Sequence, residues 1–131
     1  METIEVSTGG TQGFYDVTNR VQGIVNGSGI DDGMCLVFCP HTTAGVTLNE
    51  NWDASVQHDM GVGLNEISPP RPQYRHGEGN SPAHLKSSLI GASQVVPIEQ
   101  GKLVLGRWQG IYLCEFDGPR TRQVYVKVLG A

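Results

Sequence analysis

An α+β fold is predicted: a mixed, mainly antiparallel sheet with about three helices, forming a single domain over residues 1–131. Three observations lead there. Strand-like and helix-like segments follow one another without the strict strand–helix–strand order of a doubly wound sheet. The chain has 131 residues, the size of one domain, and neither half is short of apolar residues. Eighteen glycines fall mostly between apolar segments, which points to many short elements joined by tight turns. No internal repeat or low-complexity stretch interrupts this pattern.

Taken in order, Ile4 to Thr8 has the β-branched content of a strand, and Gly9-Gly10 ends it. Val17, Val21, Ile24 and Val25 then recur at helical spacing, with Asp16 as N-cap and Gly27 or Gly29 as the stop. Asp31-Asp32-Gly33 turns the chain into a strand from Met34 to Cys39. Both faces of that strand are apolar, so it is expected at the centre of the sheet. Pro40 closes it, and a second short strand covers Ala44 to Leu48. Asn49-Glu50-Asn51 is read as the opening of a second helix, in which Trp52, Val56, Met60 and Leu64 form one apolar stripe. Ser68-Pro69-Pro70-Arg71-Pro72 breaks it and starts an irregular stretch that lasts to Asn80. A third helix has Ser81 as N-cap, Pro82 in its first turn, Leu85 and Leu89 turned inward, and Gly91 as the stop. The remainder reads as strands at Gln94 to Ile98, Leu103 to Leu105, Gly110 to Phe116 and Arg122 to Leu129, with turns at Gly101-Lys102 and Asp117-Gly118-Pro119.

Composition excludes several classes. Apolar residues make up 38% and charged residues 17%, which fits neither a disordered chain nor a membrane protein. The longest apolar run, Met34 to Phe38, is far below the roughly 20 residues of a bilayer span, and the acidic start lacks a signal peptide's basic end. A cytoplasmic location without membrane partners is expected. A net charge of -4 argues against a general nucleic-acid binder, because neutralising phosphates needs a basic footprint. Cys35, Cys39 and Cys114 are odd in number and lie within apolar strands, so they are expected to be reduced and buried.

Four groups of residues carry possible chemistry. His41, in Pro40-His41-Thr42-Thr43-Ala44-Gly45, follows the central strand directly; it is either a turn histidine bonded to backbone or part of an open site. Asn80 and Ser81 begin a helix after a glycine-rich approach, where the positive end of the helix suits an anion, and Lys86 lies farther along the same helix. His76 and His84 flank that helix start and, with His41, could ligate a divalent metal, although their spacing matches no strong metal signature. Glu115 shares a strand face with Ile111 and Leu113, so it needs a cation, a metal or hydrogen bonds; Arg120 and Arg122 are its natural partners, and Arg also forks onto phosphate. Asp53, Asp59 and His58 read as a solvated helix face.

Taken together, His41-Thr42-Thr43-Ala44-Gly45 with Asn49-Glu50, Gly79-Asn80 with Ala83-His84-Leu85-Lys86, and Gly106-Arg107-Trp108-Gln109-Gly110 with Glu115-Phe116-Asp117-Gly118-Pro119-Arg120 resemble the YjbQ-like family in order and over almost the whole chain. The resemblance implies an α+β fold, a homotrimer and a secondary thiamine-phosphate synthase activity. It places the recurrent polar positions on His41, Asp59, His76, His84, Glu115 and Arg120. For that activity His41, His84 and Glu115 would be catalytic, and Asn80, Ser81, Lys86 and Arg120 would hold the phosphates of a small metabolite, with a divalent metal, Mg or Zn. Two alternatives use the same residues: a zinc hydrolase with His41, His76 and His84 as ligands, and a non-catalytic binder of a phosphorylated metabolite.

Overall fold

A computed structural model describes residues 1–131. The chain runs β1 (Glu2–Ser7), β2 (Gly13–Asp16), α1 (Thr18–Ser28), β3 (Gly33–Phe38), β4 (Ala44–Glu50), α2 (Ala54–Ile67), α3 (Ser81–Ile90), β5 (Ser93–Glu99), β6 (Lys102–Leu103), β7 (Gln109–Glu115) and β8 (Thr121–Gly130). The α+β class and the three helices agree with the sequence. The strands divide, however, between a five-stranded sheet ordered β1-β8-β3-β5-β6 and a three-stranded sheet ordered β2-β7-β4. Every pairing is antiparallel.

The main core lies between the inner faces of the two sheets and α1. Alternate residues of β1, β3, β5 and β8 supply Ile4, Val6, Cys35, Val37, Val96, Ile98, Val124 and Val126, and α1 adds Val21 and Val25. Strand β7 is the middle strand of its sheet and is buried on both faces. Ile111 and Leu113 enter the main core, while Tyr112, Cys114 and Phe116 form a second cluster with Ala83 of α3. Helices α2 and α3 therefore cover the far side of the small sheet. Strand β3 is central, as its two apolar faces require, but the outer face of its sheet has no covering layer: Met34, Phe38, Val95 and Leu129 are exposed there. No helix is long and apolar enough to cross a membrane. All three cysteines are free and buried; burial pushes the Cys35 thiol up to about 11 and the Cys114 thiol up to about 12.

Several features differ from expectation, among them the α3 cap, which is Asn80, with Ser81 as the first helical residue. Gly13–Asp16 forms an edge strand against β7, too short to leave an alternating pattern in the sequence. Asp16 still serves α1, its Oδ1 accepting from the N–H and hydroxyl of Thr18, although helical geometry begins one residue later than an Asp16 cap would give. Asn49 and Glu50 extend β4 instead of opening α2, which starts at Ala54 behind an Asp53 cap. On α3, Leu85 and Leu89 are exposed, and Ala83 and Lys86 face inward. The helix sits close on β4, with Ser87 and Ile90 also turned toward the sheet. A Cβ on Gly45 would lie 2.7 Å from the carbonyl oxygen of Gly91, and the Ser87 hydroxyl donates to the carbonyl of Ala44 at 2.6 Å.

The two sheets are joined through a buried ion pair. Glu115 at the end of β7 is 0% exposed and Arg122 near the start of β8 is 2% exposed. Arg122 grips the carboxylate with both Nε, at 2.7 Å, and Nη2. Glu115 also accepts from the Thr8 hydroxyl at 3.0 Å and the Asp117 N–H at 2.9 Å. Nη2 of Arg122 reaches on to the carbonyl and hydroxyl of Thr43. Burial raises the Glu115 pKa, but Arg122, the Asp117 N–H and the Thr8 hydroxyl outweigh it and hold the carboxyl below its ordinary value. Removing one partner strands the other charge in the interior. Glu115→Ala should therefore lower the unfolding free energy by about 3–5 kcal/mol in urea titrations, whereas the double change Glu115→Leu with Arg122→Met should recover much of that loss.

Candidate functional site

Pro40 ends β3 and places His41 beside the start of β8. The Gln123 backbone N–H donates to His41 Nε2 at 2.9 Å, so the neutral ring carries its proton on Nδ1. Burial, followed by the charge of Arg122, lowers the His41 pKa below its ordinary value of 6.5. Protonation at Nε2 would also break the bond from Gln123. The imidazole is thus held as a base. His41 bonds to backbone and at the same time lines a cleft.

That cleft, of about 530 Å³, is bounded by His41, Thr42, His84, Ser87, Ser88, Gly91 and Ala92. Its opposite wall is α3, and the close seat of that helix on Gly45 brings His84 opposite His41. His76, from the loop before α3, meets His84 edge to face with ring centroids 5.4 Å apart, and its Nε2 lies 3.8 Å from Glu78 Oε1. Around the start of α3, Asn80 Nδ2 donates to Asp117 Oδ2 at 2.8 Å and Arg120 Nη2 donates to the same oxygen at 3.1 Å. Asn80 Oδ1 is a buried acceptor with no partner. Asn80, Ser81, His84 and Arg120 therefore cluster about one helix end, with Asp117 as the link that the sequence reading missed. Its position in Asp117-Gly118-Pro119-Arg120 could have signalled it, because a turn of that type holds its first side chain close to the residues that follow. A Cβ on Gly118 would lie 2.4 Å from the carbonyl oxygen of Gly10, so the turn accepts only glycine there.

Other expected site residues lie apart from this group. Lys86 is 6% exposed and does not line the cleft; its Nζ donates to Gln12 Oε1 at 2.7 Å and Asn65 Oδ1 at 2.6 Å, tying α3 to α2 and to the approach to β2. Desolvation lowers its pKa. Glu115 orients Arg122 and makes no hydrogen bond to a histidine. Asp59 pairs with His58 on the exposed side of α2. No group of three or more His, Cys, Asp or Glu side chains converges with the geometry to hold a metal ion, so His41, His76 and His84 do not form a complete ligand set within one chain. As the donors stand, they do not fit a zinc centre. A second cleft, of about 700 Å³, lies between α1 and the β1–β8 edge and contains none of the motif residues.

Residues 2–131 match the family profile described as UPF0047 protein YjbQ-like. The chain is 48% identical over 131 residues to UPF0047 protein YugU of Bacillus subtilis, covering 99% of each. It is 37% identical over 116 residues to UPF0047 protein YjbQ of Salmonella typhimurium, covering 83% of this chain and 84% of the relative. Among solved structures, an uncharacterised YjbQ/UPF0047 protein of Clostridium acetobutylicum superposes with a TM-score of 0.96 at 52% identity, covering 98% of this chain and all of that one (100%). A protein of unknown function from Sulfolobus solfataricus superposes with a TM-score of 0.95 at 38% identity, covering 99% and 96%.

The depressed pKa of His41 has a consequence for stability. The unfolded chain binds a proton near the ordinary value of 6.5 while the folded chain resists it, so the contribution is fully present above that pH and is lost as pH falls through 6.5 toward the folded value. Between pH 7.5 and 5, the urea midpoint of a His41→Asn variant should fall less than that of the native protein. Equal falls would remove His41 as a source of the pH dependence.

Proposed function

The chain belongs to the UPF0047 YjbQ-like family, and from that membership and the geometry of the cleft we propose that it is a cytoplasmic enzyme with secondary thiamine-phosphate synthase activity. The observation that carries this reading is that His41, held neutral by the Gln123 N–H, and His84 line one cleft along the second half of α3, while Asn80 and Arg120 meet on Asp117 one helical turn before His84. The reaction joins a hydroxymethylpyrimidine diphosphate to a thiazole phosphate. The lone pair of the thiazole nitrogen forms the new N–C bond at the pyrimidine methylene, the C–O bond to the diphosphate breaks, and the diphosphate departs with that electron pair. Arg120 and the N-terminal end of α3 at Asn80-Ser81 neutralise the growing charge of the leaving group, and His41 and His84 orient it by hydrogen bonds. Lys86 takes no part, because its ammonium is engaged by Gln12 and Asn65. Mg²⁺ enters with the diphosphate as part of the substrate, since the chain itself lacks a converged ligand set.

We also propose that the protein acts as a homotrimer assembled through the open face of the five-stranded sheet. Cross-strand register places Met34 beside Leu129 and Pro97, Leu36 beside Val95, and Phe38 beside Tyr125, with the last two rings 6.4 Å apart. An uncovered apolar sheet face of this kind favours burial against another copy. Light scattering should give three times the chain mass of 14.1 kDa, and Phe38→Glu should reduce it to the monomer.

His84→Ala should reduce formation of thiamine phosphate and release of pyrophosphate at least tenfold while leaving the circular dichroism spectrum unchanged. Full activity in that variant would overturn the assignment. Saturable substrate binding by the native protein with no product would replace the enzyme with a binder.

A further inference from the structure

Trp52 and the segment Gly106-Arg107-Trp108-Gln109-Gly110 play no part in the histidine cleft. Strands β4 and β7 pair from Ala44 opposite Glu115 to Glu50 opposite Gln109. His41 and Glu115 thus belong to one end of the small sheet, and both tryptophans lie at the other. At about 3.3 Å per residue, the strands separate the two ends by roughly 20 Å.

At that far end the side chains form a platform. Trp52 is 79% exposed and Trp108 is 44% exposed, and their rings meet edge to face with centroids 5.7 Å apart. The Arg107 guanidinium lies 4.8 Å from the Trp108 ring centroid, over its face. The backbone beneath is fixed. The Asn51 N–H donates to the Trp108 carbonyl at 2.9 Å, the Gln109 N–H donates to the Gly106 carbonyl at 3.0 Å, and the Gly106 N–H donates to Gln109 Oε1 at 2.7 Å. Asn51 packs so closely on Gly110 that a Cβ there would lie 2.7 Å from its Nδ2. Arg107 takes part in none of the four ion pairs of the chain. A rigid surface therefore presents an open indole face beside a guanidinium that has no carboxylate partner, on a chain whose net charge is -4.

These features match the two halves of one kind of ligand. An indole face stacks with a flat heteroaromatic ring, and a guanidinium forks onto a phosphate or carboxylate. We propose that Trp52, Trp108 and Arg107 form a second binding site, separate from the histidine cleft, for a nucleotide-like small molecule that combines a flat ring with an anionic group. The ring stacks on Trp52. Arg107 binds the anion while its own plane remains supported by Trp108, so ring and charge are recognised from adjoining positions of one platform.

The chain has two tryptophans and both belong to this platform, so indole fluorescence reports on it alone. The assembled native protein is titrated with adenosine 5′-monophosphate, adenosine and inorganic phosphate, with excitation at the red edge of indole absorption, where adenine does not absorb. Saturable quenching by the nucleotide is expected, at least tenfold weaker with adenosine and absent with phosphate. Trp52→Ala, read through Trp108, and Arg107→Ala should each weaken nucleotide binding at least tenfold, and His84→Ala should leave it unchanged. The proposal is overturned if the nucleotide gives no saturable response, if adenosine binds as well as the nucleotide, or if Trp52→Ala binds like the native protein. An emission maximum that shifts on dilution would overturn it too, by showing that a second copy covers the platform.

Discussion

Glu115 and Arg122 meet in a part of the interior closed to water, and the path of the chain around them follows from the need to satisfy both charges. Between them they make contact with Thr8 just beyond β1, Thr43 just before β4, and the backbone of Asp117 in the turn that joins their own strands. Four segments from two sheets are thus tied to one pair of side chains. A pair of this kind adds little net stability, because desolvation offsets most of its Coulomb attraction. What it adds is position: a sheet junction displaced by even one hydrogen bond would leave a buried charge short of partners.

The candidate site depends on that junction. Thr43 is two residues from His41, so the arginine that grips Glu115 also fixes the loop carrying the imidazole, and its charge helps keep that imidazole neutral. The other wall is positioned differently. Helix α3 reaches β4 only because Gly45 has no side chain, and Ser87 then bonds to the backbone of Ala44. One wall of the cleft is set by a buried charge pair and the other by close backbone approach. The His41 ring is held by the Gln123 N–H, and the backbone that carries His84 is held by the close seat of α3.

The main elements were legible because burial leaves a period in the sequence. Strand β3, apolar on both faces, is central, and α1 stops at Gly29, which adopts the left-handed conformation with φ 70°. Legibility failed where the period misled. Leu85 and Leu89 look like an inward stripe, yet the helix is rotated so that Ala83 and Lys86, together with Ser87 and Ile90, take the inner face. The inward lysine could not be read from spacing, since its acceptors, Gln12 and Asn65, are 74 and 21 residues away in sequence. Glu115 was legible as a carboxylate in need of a partner. The choice between Arg120 and Arg122 was not, and alternation in β8 decides it: Arg122 shares the inward face with Val124 and Val126, whereas Arg120 lies in the turn and binds Asp117.

A list of motifs in order also suggests one site, and the register of the small sheet argues against that within a single chain. His41-Thr42-Thr43 leads into β4 and Asn49-Glu50 ends it; Gly106 to Gly110 leads into β7 and Glu115 ends it. Antiparallel pairing puts the end of one beside the start of the other, so the six strings sort into two groups at opposite ends of the β4–β7 ladder. The group at Glu115 includes the turn Asp117-Gly118-Pro119-Arg120 and, through Asn80, the start of α3, which sets the Arg120 guanidinium beside the positive end of the helix, one turn before His84. The group at Gln109 contains the aromatic rings and a single unpaired arginine. Chemistry that needs proton-bearing and charge-neutralising groups belongs at the first end, and recognition by stacking belongs at the second. A molecule that used both from one chain would have to span the length of the strands between them.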